Sequence, residues 1–271
     1  MKASRFLKVL KLTKTTLSEY KNWGEGEIYK AKKIVNNQTY SSDNDNDKEI
    51  LQNDISVSEP QAKYSSIQSQ PSQDTGKTLE ALKEKLKNCK DCPLGEHRLN
   101  CVFGEGDSNA KLMFIGEGPG YDEDHQGRPF IGRAGQLLTK IIEAMGYQRQ
   151  EVYITNIVKC HPMKEANPEL RSNDRPPLPE ETSKCKKYLD MQIDIIKPKI
   201  IITLGAPSSK TLLNSEKTIS DLRGEFFTYN GITLMPTYHP AALLRNPSLK
   251  KPVWEDMKKV IKFLKEKGFS R

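Results

Sequence analysis

Short apolar runs alternate with helical patterns from residue 111 to residue 267, and few architectures accommodate that alternation. Residues 111–115 (KLMFI), 152–158 (VYITNIV) and 199–204 (KIIITL) have strand length and little polar content, as strands covered on both faces do. Between them, residues 133–144 put Leu137, Leu138, Ile141 and Ile142 on one helical face and stop at Gly146. Residues 179–196 read as a helix that starts at Pro179 and ends before Pro198. A short helix over 208–213, two short strands over 226–229 and 232–235 around Asn230-Gly231, and a closing helix over 253–267 complete the series. The expected fold is α/β: a three-layer α/β/α sandwich with a central, mostly parallel sheet. Ligands of such sheets sit at the carboxyl ends of the strands. Those ends carry Gly116, Asn156, Gly205 and Tyr238-His239-Pro240.

The richest end is residues 116–138, GEGPGYDEDHQGRPFIGRAGQLL, with six glycines and two prolines. A strand that runs through a glycine-rich loop into a helix brings backbone N–H groups close to a ligand. Glu117, Asp122, Glu123 and Asp124 offer acid/base groups there, and Tyr121 and Phe130 offer stacking surfaces. The plainer alternative is a solvated, charged surface loop.

Apolar residues make up only 35% of the 271, so part of the chain is expected not to fold. Residues 36–76, rich in Asn, Asp, Ser and Gln without an apolar period, read as a disordered tether. Ahead of it, residues 1–14 carry Lys2, Arg5, Lys8, Lys11 and Lys14 among apolar residues. The lysines break every apolar stretch, so this is no secretory signal. It reads as an unpaired terminal helix, or as a basic helix for a membrane surface, nucleic acid or a partner. The folded domain is expected over 77–271, opening with a helix over 78–87. No apolar run reaches the roughly 20 residues that cross a membrane. The net charge of +8 suits a polyanionic partner. Five cysteines, an odd number without a secretion signal, argue for a reducing compartment and a cytoplasmic location.

Cys89 and Cys92 form a C-x-x-C pair, Cys160 follows a strand, and Cys185 lies in the 179–196 helix. Cys185 alone, on one face with Tyr188, Leu189, Gln192 and Ile196, would read as a buried structural thiol. With the C-x-x-C pair present, four thiolates at one metal centre are the better reading. Zinc and an iron–sulfur cluster both accept four thiolates. Zinc sites more often show two close pairs, and the 24 residues between Cys160 and Cys185 tilt the choice toward iron–sulfur without deciding it. Cys101 reads as a free or buried thiol.

These motifs resemble one family. From about Leu79 onward the chain is similar to type-4 uracil-DNA glycosylases, the iron–sulfur branch of their superfamily. The resemblance rests on Cys89-x-x-Cys92, GEGPG at 116–120, RPFIGRAGQLL at 128–138, VYITNIVKCHP at 152–162, Cys185, and HPAALLRNP at 239–247, in matching order. It implies one [4Fe-4S] cluster on Cys89, Cys92, Cys160 and Cys185, in a structural role. It also implies a monomeric, monofunctional glycosylase that flips uracil out of single- or double-stranded DNA, hydrolyses its glycosidic bond and leaves an abasic site for base-excision repair. Phe130 would stack on the base, and Asn156 would read its edge. His239 would stabilise charge on O2, and the backbone of Gly116, Glu117 and Gly118 would line the pocket. Glu123, ahead of Glu117, would orient water or balance oxocarbenium charge. Leu244 and Arg245, with Leu243, would wedge into the gap left by the base, unless the leucines pack the last helix. Some branches of the superfamily carry Asp where Gly118 stands, so water must be positioned here by another group or by the substrate itself. A glycosylase for deaminated purines and a non-catalytic iron–sulfur nucleic-acid binder are the competing readings.

Overall fold

The computed structural model describes residues 75–269. The terminal helix expected over 1–14 lies outside them, as does the tether except for its last two positions, which are already helical. Helix α1 (Thr75–Lys87) buries Leu79, Leu82 and Leu86, which the i, i+3, i+7 spacing aligns. It is followed by the single turn α2 (Leu94–His97) and a two-residue edge strand β1 (Glu105–Gly106). The core unit then runs β2 (Leu112–Gly116), α3 (Tyr121–Gln126), α4 (Arg133–Ala144), β3 (Tyr153–Asn156), α5 (Pro179–Ile196) and β4 (Ile200–Leu204). The second half adds α6 (Ala206–Leu213), α7 (Ile219–Leu222), the hairpin β5 (Phe227–Tyr229) and β6 (Ile232–Thr237), α8 (Pro240–Arg245) and α9 (Lys250–Glu266).

The six strands are ordered β1-β3-β2-β4-β6-β5. The four inner strands are parallel and both edges antiparallel, so the expectation of a mostly parallel sheet holds. Every residue of β2, β3 and β4 is buried, which requires helices on both faces. The next two strands in the chain, β3 and β4, flank β2 on opposite sides. The strand order therefore reverses at the end of β2, the switch point where a ligand crevice opens. Register puts Gly116 level with Asn156 and Leu204 level with Thr237, two residues before His239.

Local chemistry explains where the structure departs from pattern. The strand expected over 152–158 ends at Asn156. Ile157 and Val158 still donate to the carbonyls of Gly116 and Glu117, at 3.0 and 3.1 Å, and so follow the glycine loop instead of the sheet. The polar stretch YDEDHQ has no apolar period yet forms α3. Three acids occupy its first turn, the Glu123 carboxylate caps the Gly120 N–H, and Gly127 ends it in the left-handed region. The leucines after His239 belong to α8, a separate helix that stops ahead of Pro247. Among the described residues no helix is long and apolar enough to cross a membrane.

Candidate active site and cysteine centre

A cavity of about 260 Å³ opens at the switch point, lined by Glu117, Gly118, Glu123, Phe130, Asn156 and His239. Residues picked from the ends of β2, β3 and β6 thus meet in one place, whereas Gly116 and Gly205 do not line it. Gly116 lies behind the wall: a Cβ there would stand 2.4 Å from Asn156 Oδ1 and 2.5 Å from Phe130 Cζ. Its missing side chain is what lets amide and ring approach each other. Gly118 is restricted in the same way, since a Cβ would stand 2.8 Å from Val158 Cγ2. Packing, as well as sequence, keeps an aspartate out of that position.

Asn156 is buried, and its Oδ1 has no hydrogen-bond partner among the described residues. A buried, unsatisfied acceptor costs about 1–3 kcal/mol, so its persistence points to a ligand that completes it. Phe130 holds φ at +51°, a left-handed conformation uncommon for an aromatic residue, and such strain concentrates at binding sites. Its ring lies 5.6 Å from that of His239, tilted by 35°. His239 precedes α8 as its N-cap, and its Nδ1 accepts the Ala241 N–H at 3.1 Å. Nδ1 being an acceptor, the neutral ring carries its proton on Nε2. Burial, with the nearby Arg245 cation, pulls its pKa down to about 4, so the ring is a neutral donor at ordinary pH.

The two loop carboxylates behave differently. Glu123 accepts the N–H groups of Ile131 and Gly132 on Oε1, at 3.0 and 3.1 Å, and that of Gly120 on Oε2, at 3.2 Å. It ties both ends of the glycine loop together. The Glu117 carboxylate makes no hydrogen bond or ion pair among the described residues, and burial alone raises its pKa. Of the α8 residues, Leu243 is fully buried whereas Leu244 is 41% exposed, with Arg245 exposed beside it. Neither Leu244 nor Arg245 lines the cavity.

One wall was missed from sequence. Pro162, Asp174, Arg175 and Pro177 close the cavity on its remaining side. They come from the segment between Cys160 and α5, which has charges and prolines but no periodic pattern to mark it.

Cys89, Cys92, Cys160 and Cys185 line a second, apolar cavity. Cys160 and Cys185 are buried, Cys89 and Cys92 partly so. Burial pushes the Cys160 thiol up strongly and Cys185 to about 11, so thiolates here need compensating positive charge. Two cations stand ready. Arg98 Nη1 lies 2.8 Å from Cys160 Sγ, and its Nη2 caps the α1 carbonyls of Leu86 and Lys87. Lys159 is fully buried, its pKa lowered by desolvation to about 8, with Nζ 2.6 Å from Thr155 Oγ1 and from the Asn156 carbonyl. A partly buried arginine and a fully buried lysine beside four thiols suit an anionic centre. The sulfurs line the cavity without closing on a point: no group of three or more His, Cys, Asp or Glu among the described residues is set to hold a bare metal ion. Cys101 is half-buried near this site but does not line its cavity. A lysine directly after an apolar strand run was the sequence signal for Lys159.

The profile of the uracil DNA glycosylase superfamily matches residues 103–258, more than half of the chain. The chain belongs to the uracil DNA glycosylase superfamily. It is 45% identical over 192 residues to the type-4 uracil-DNA glycosylase of Sulfurisphaera tokodaii, covering 68% of this chain and 83% of that one. Against the type-4 uracil-DNA glycosylase of Thermotoga maritima the identity is 42% over 194 residues, 70% of this chain and 96% of the other. Against that of Saccharolobus solfataricus it is 43% over 198 residues, 70% and 88%. In this superfamily member the matched span holds every residue lining the switch-point cavity, together with Cys160 and Cys185.

Proposed function

We propose that this superfamily member removes uracil from DNA by hydrolysing the glycosidic bond, leaving an abasic site. The observation that carries the reading is the orphaned Asn156 Oδ1 under a strained phenylalanine ring. Uracil presents N3–H and O4, to which an amide oxygen and an amide NH₂ are complementary. Cytosine presents a bare N3 and an amino group, which would leave Oδ1 facing a lone pair. A base in a duplex must leave the stack to reach Asn156, and stacking on Phe130 returns about 1–3 kcal/mol of that cost.

As the C1′–N1 bond breaks, its electron pair moves into the uracil ring and charge collects on O2. His239 Nε2–H is the donor for that oxygen, and its neutrality at ordinary pH makes it a fixed dipole there. Water then adds to C1′. Glu117, half-buried and unpaired, is the carboxylate left free to orient that water and take its proton. Glu123, favoured from sequence, acts through the loop it braces, because three backbone donors already occupy its oxygens. Leu244 and Arg245, exposed beside the cavity, are the groups for the space vacated in the helix.

Cys89, Cys92, Cys160 and Cys185 are the ligands for one [4Fe-4S] cluster, compensated by Arg98 and Lys159. Glycosidic hydrolysis transfers no electron, so the cluster supplies a cross-link between the α1 end, the loop after β3 and α5. The test is incubation of the purified protein with oligonucleotides containing uracil, hypoxanthine or no lesion, followed by alkaline cleavage. Strand breaks at uracil alone are expected. Breaks at hypoxanthine alone, or none, would reject the proposal.

A further inference from the structure

The wall missed from sequence is a hairpin. Arg175 N–H donates to the Pro162 carbonyl at 3.0 Å, Met163 and Asp174 form a bridge, and Lys164 N–H donates to the Asn173 carbonyl at 2.8 Å. Its far end is closed by the buried Asn173 side chain, which bonds the Glu165 and Asn167 carbonyls and the Glu165 N–H at 2.8–2.9 Å. Its near end is gripped by Arg175. Nε donates to the Met163 carbonyl at 2.8 Å, and Nη1 to the Pro176 carbonyl at 3.0 Å. Nη1 and Nη2 together hold both oxygens of Glu181, at 2.8 and 2.6 Å. Glu181 is buried in the first turn of α5, one turn before Cys185, and its Oε2 also accepts the Leu178 N–H at 2.7 Å.

An arginine lining a nucleic-acid pocket suggests a phosphate ligand. Here four of its five N–H groups are already spent on the protein. We infer that Arg175 is a positioning residue, which clamps the 162–175 hairpin to α5 and thereby sets the third wall of the base cavity, and that it is not a phosphate contact. The clamp joins the cavity to the cysteine centre, since its ends stand near Cys160 in sequence and one turn from Cys185. The inference rests on the proposed uracil pocket for its kinetic readout, and on the hairpin alone for its structural one.

The experiment compares Arg175→Lys, Arg175→Ala and Asn173→Ala in the full-length holoprotein. Lysine keeps the charge but cannot make the bidentate grip. A clamp requires both Arg175 variants to lose about ten- to a hundredfold in kcat, the scale of a misplaced wall. It also requires unchanged affinity for uracil-free DNA, an unchanged salt slope of that binding, and faster tryptic cleavage after Lys164 and Arg171. Asn173→Ala loosens the same hairpin without touching the arginine or α5, so it is expected to show the same pattern with visible absorbance retained. A phosphate ligand requires the reverse: Arg175→Lys near wild type, and Arg175→Ala lowering the salt slope by about one. That second pattern, or unchanged kcat and tryptic rate in all three variants, would overturn the inference. If the Arg175 variants lose their absorbance, Asn173→Ala decides alone. If wild-type protein leaves uracil in place, the functional reading fails and the tryptic rates still judge the clamp.

Discussion

At the switch-point cavity, among the described residues, Asn156 Oδ1 is buried with no partner and the Glu117 carboxylate is unpaired, while burial lowers the His239 pKa to about 4. At the cysteine cavity Arg98 reaches a thiol and Lys159 a backbone carbonyl, and Asp91 and Lys184 also stand in its walls. The first site holds back hydrogen-bonding capacity, at a standing cost to stability, for a ligand that arrives and leaves. On the proposed reading the second balances an anionic cluster that stays, so emptying it leaves the buried Lys159 uncompensated. Exchange requires unsatisfied groups in a rigid frame, and residence requires charge balance. The two sites are joined through Lys159, whose ammonium donates to the Asn156 carbonyl and which itself lines the cysteine cavity.

The sharpest way to break this contrast is Cys185→Ser. Loss of one ligand from a charge-matched site is expected to cost about 3–5 kcal/mol, the penalty for uncompensated buried charge. For a domain of this size that is a fall of about 10 °C in Tm. Visible absorbance should be lost and thermal melting should show the drop. An unchanged Tm with absorbance gone would remove the residence side of the comparison.

His239→Ala is expected to do the opposite, lowering kcat by about 10²–10³ with Tm and absorbance intact. The same residue gives a pH prediction. Its folded pKa of about 4 lies below the ordinary 6.5. Between these values the unfolded chain binds a proton that the folded chain does not, so the stability His239 contributes falls as pH drops from 6.5 toward 4. The ring in the folded site stays neutral over that range, so kcat should show no acid limb from His239 near 6.5. A limb at 6.5 that His239→Ala abolishes would contradict the neutral-donor assignment.

The smallest change is Gly116→Ala. Its methyl would intrude on Asn156 and Phe130, an overpacking cost of about 1–3 kcal/mol expected to fall on uracil affinity. Titration with free uracil measures it. Equal binding would show that the amide and ring do not depend on their close approach.

The alternation of apolar runs and helical periods was enough to foresee the parallel sheet, because strand and helix periods are local properties of the chain. Helices over 133–144 and 179–196 fell at their sequence-derived bounds for that reason. Helix α3 did not, since it is held by caps and first-turn acids and not by an apolar face. Cysteine spacing, the glycine loop, and the His-Pro pair at the end of β6 likewise marked both sites before any geometry was known. What the tertiary structure decided was how each polar group is used. It turned Glu123 into a loop brace and left Glu117 free. It buried Leu243 and exposed Leu244. It committed Arg175 to Glu181 and left Asn156 Oδ1 without a partner. Hydrogen-bond satisfaction depends on groups far apart in the chain, brought together only when the sheet and its loops are in place, so no local pattern could have reported it.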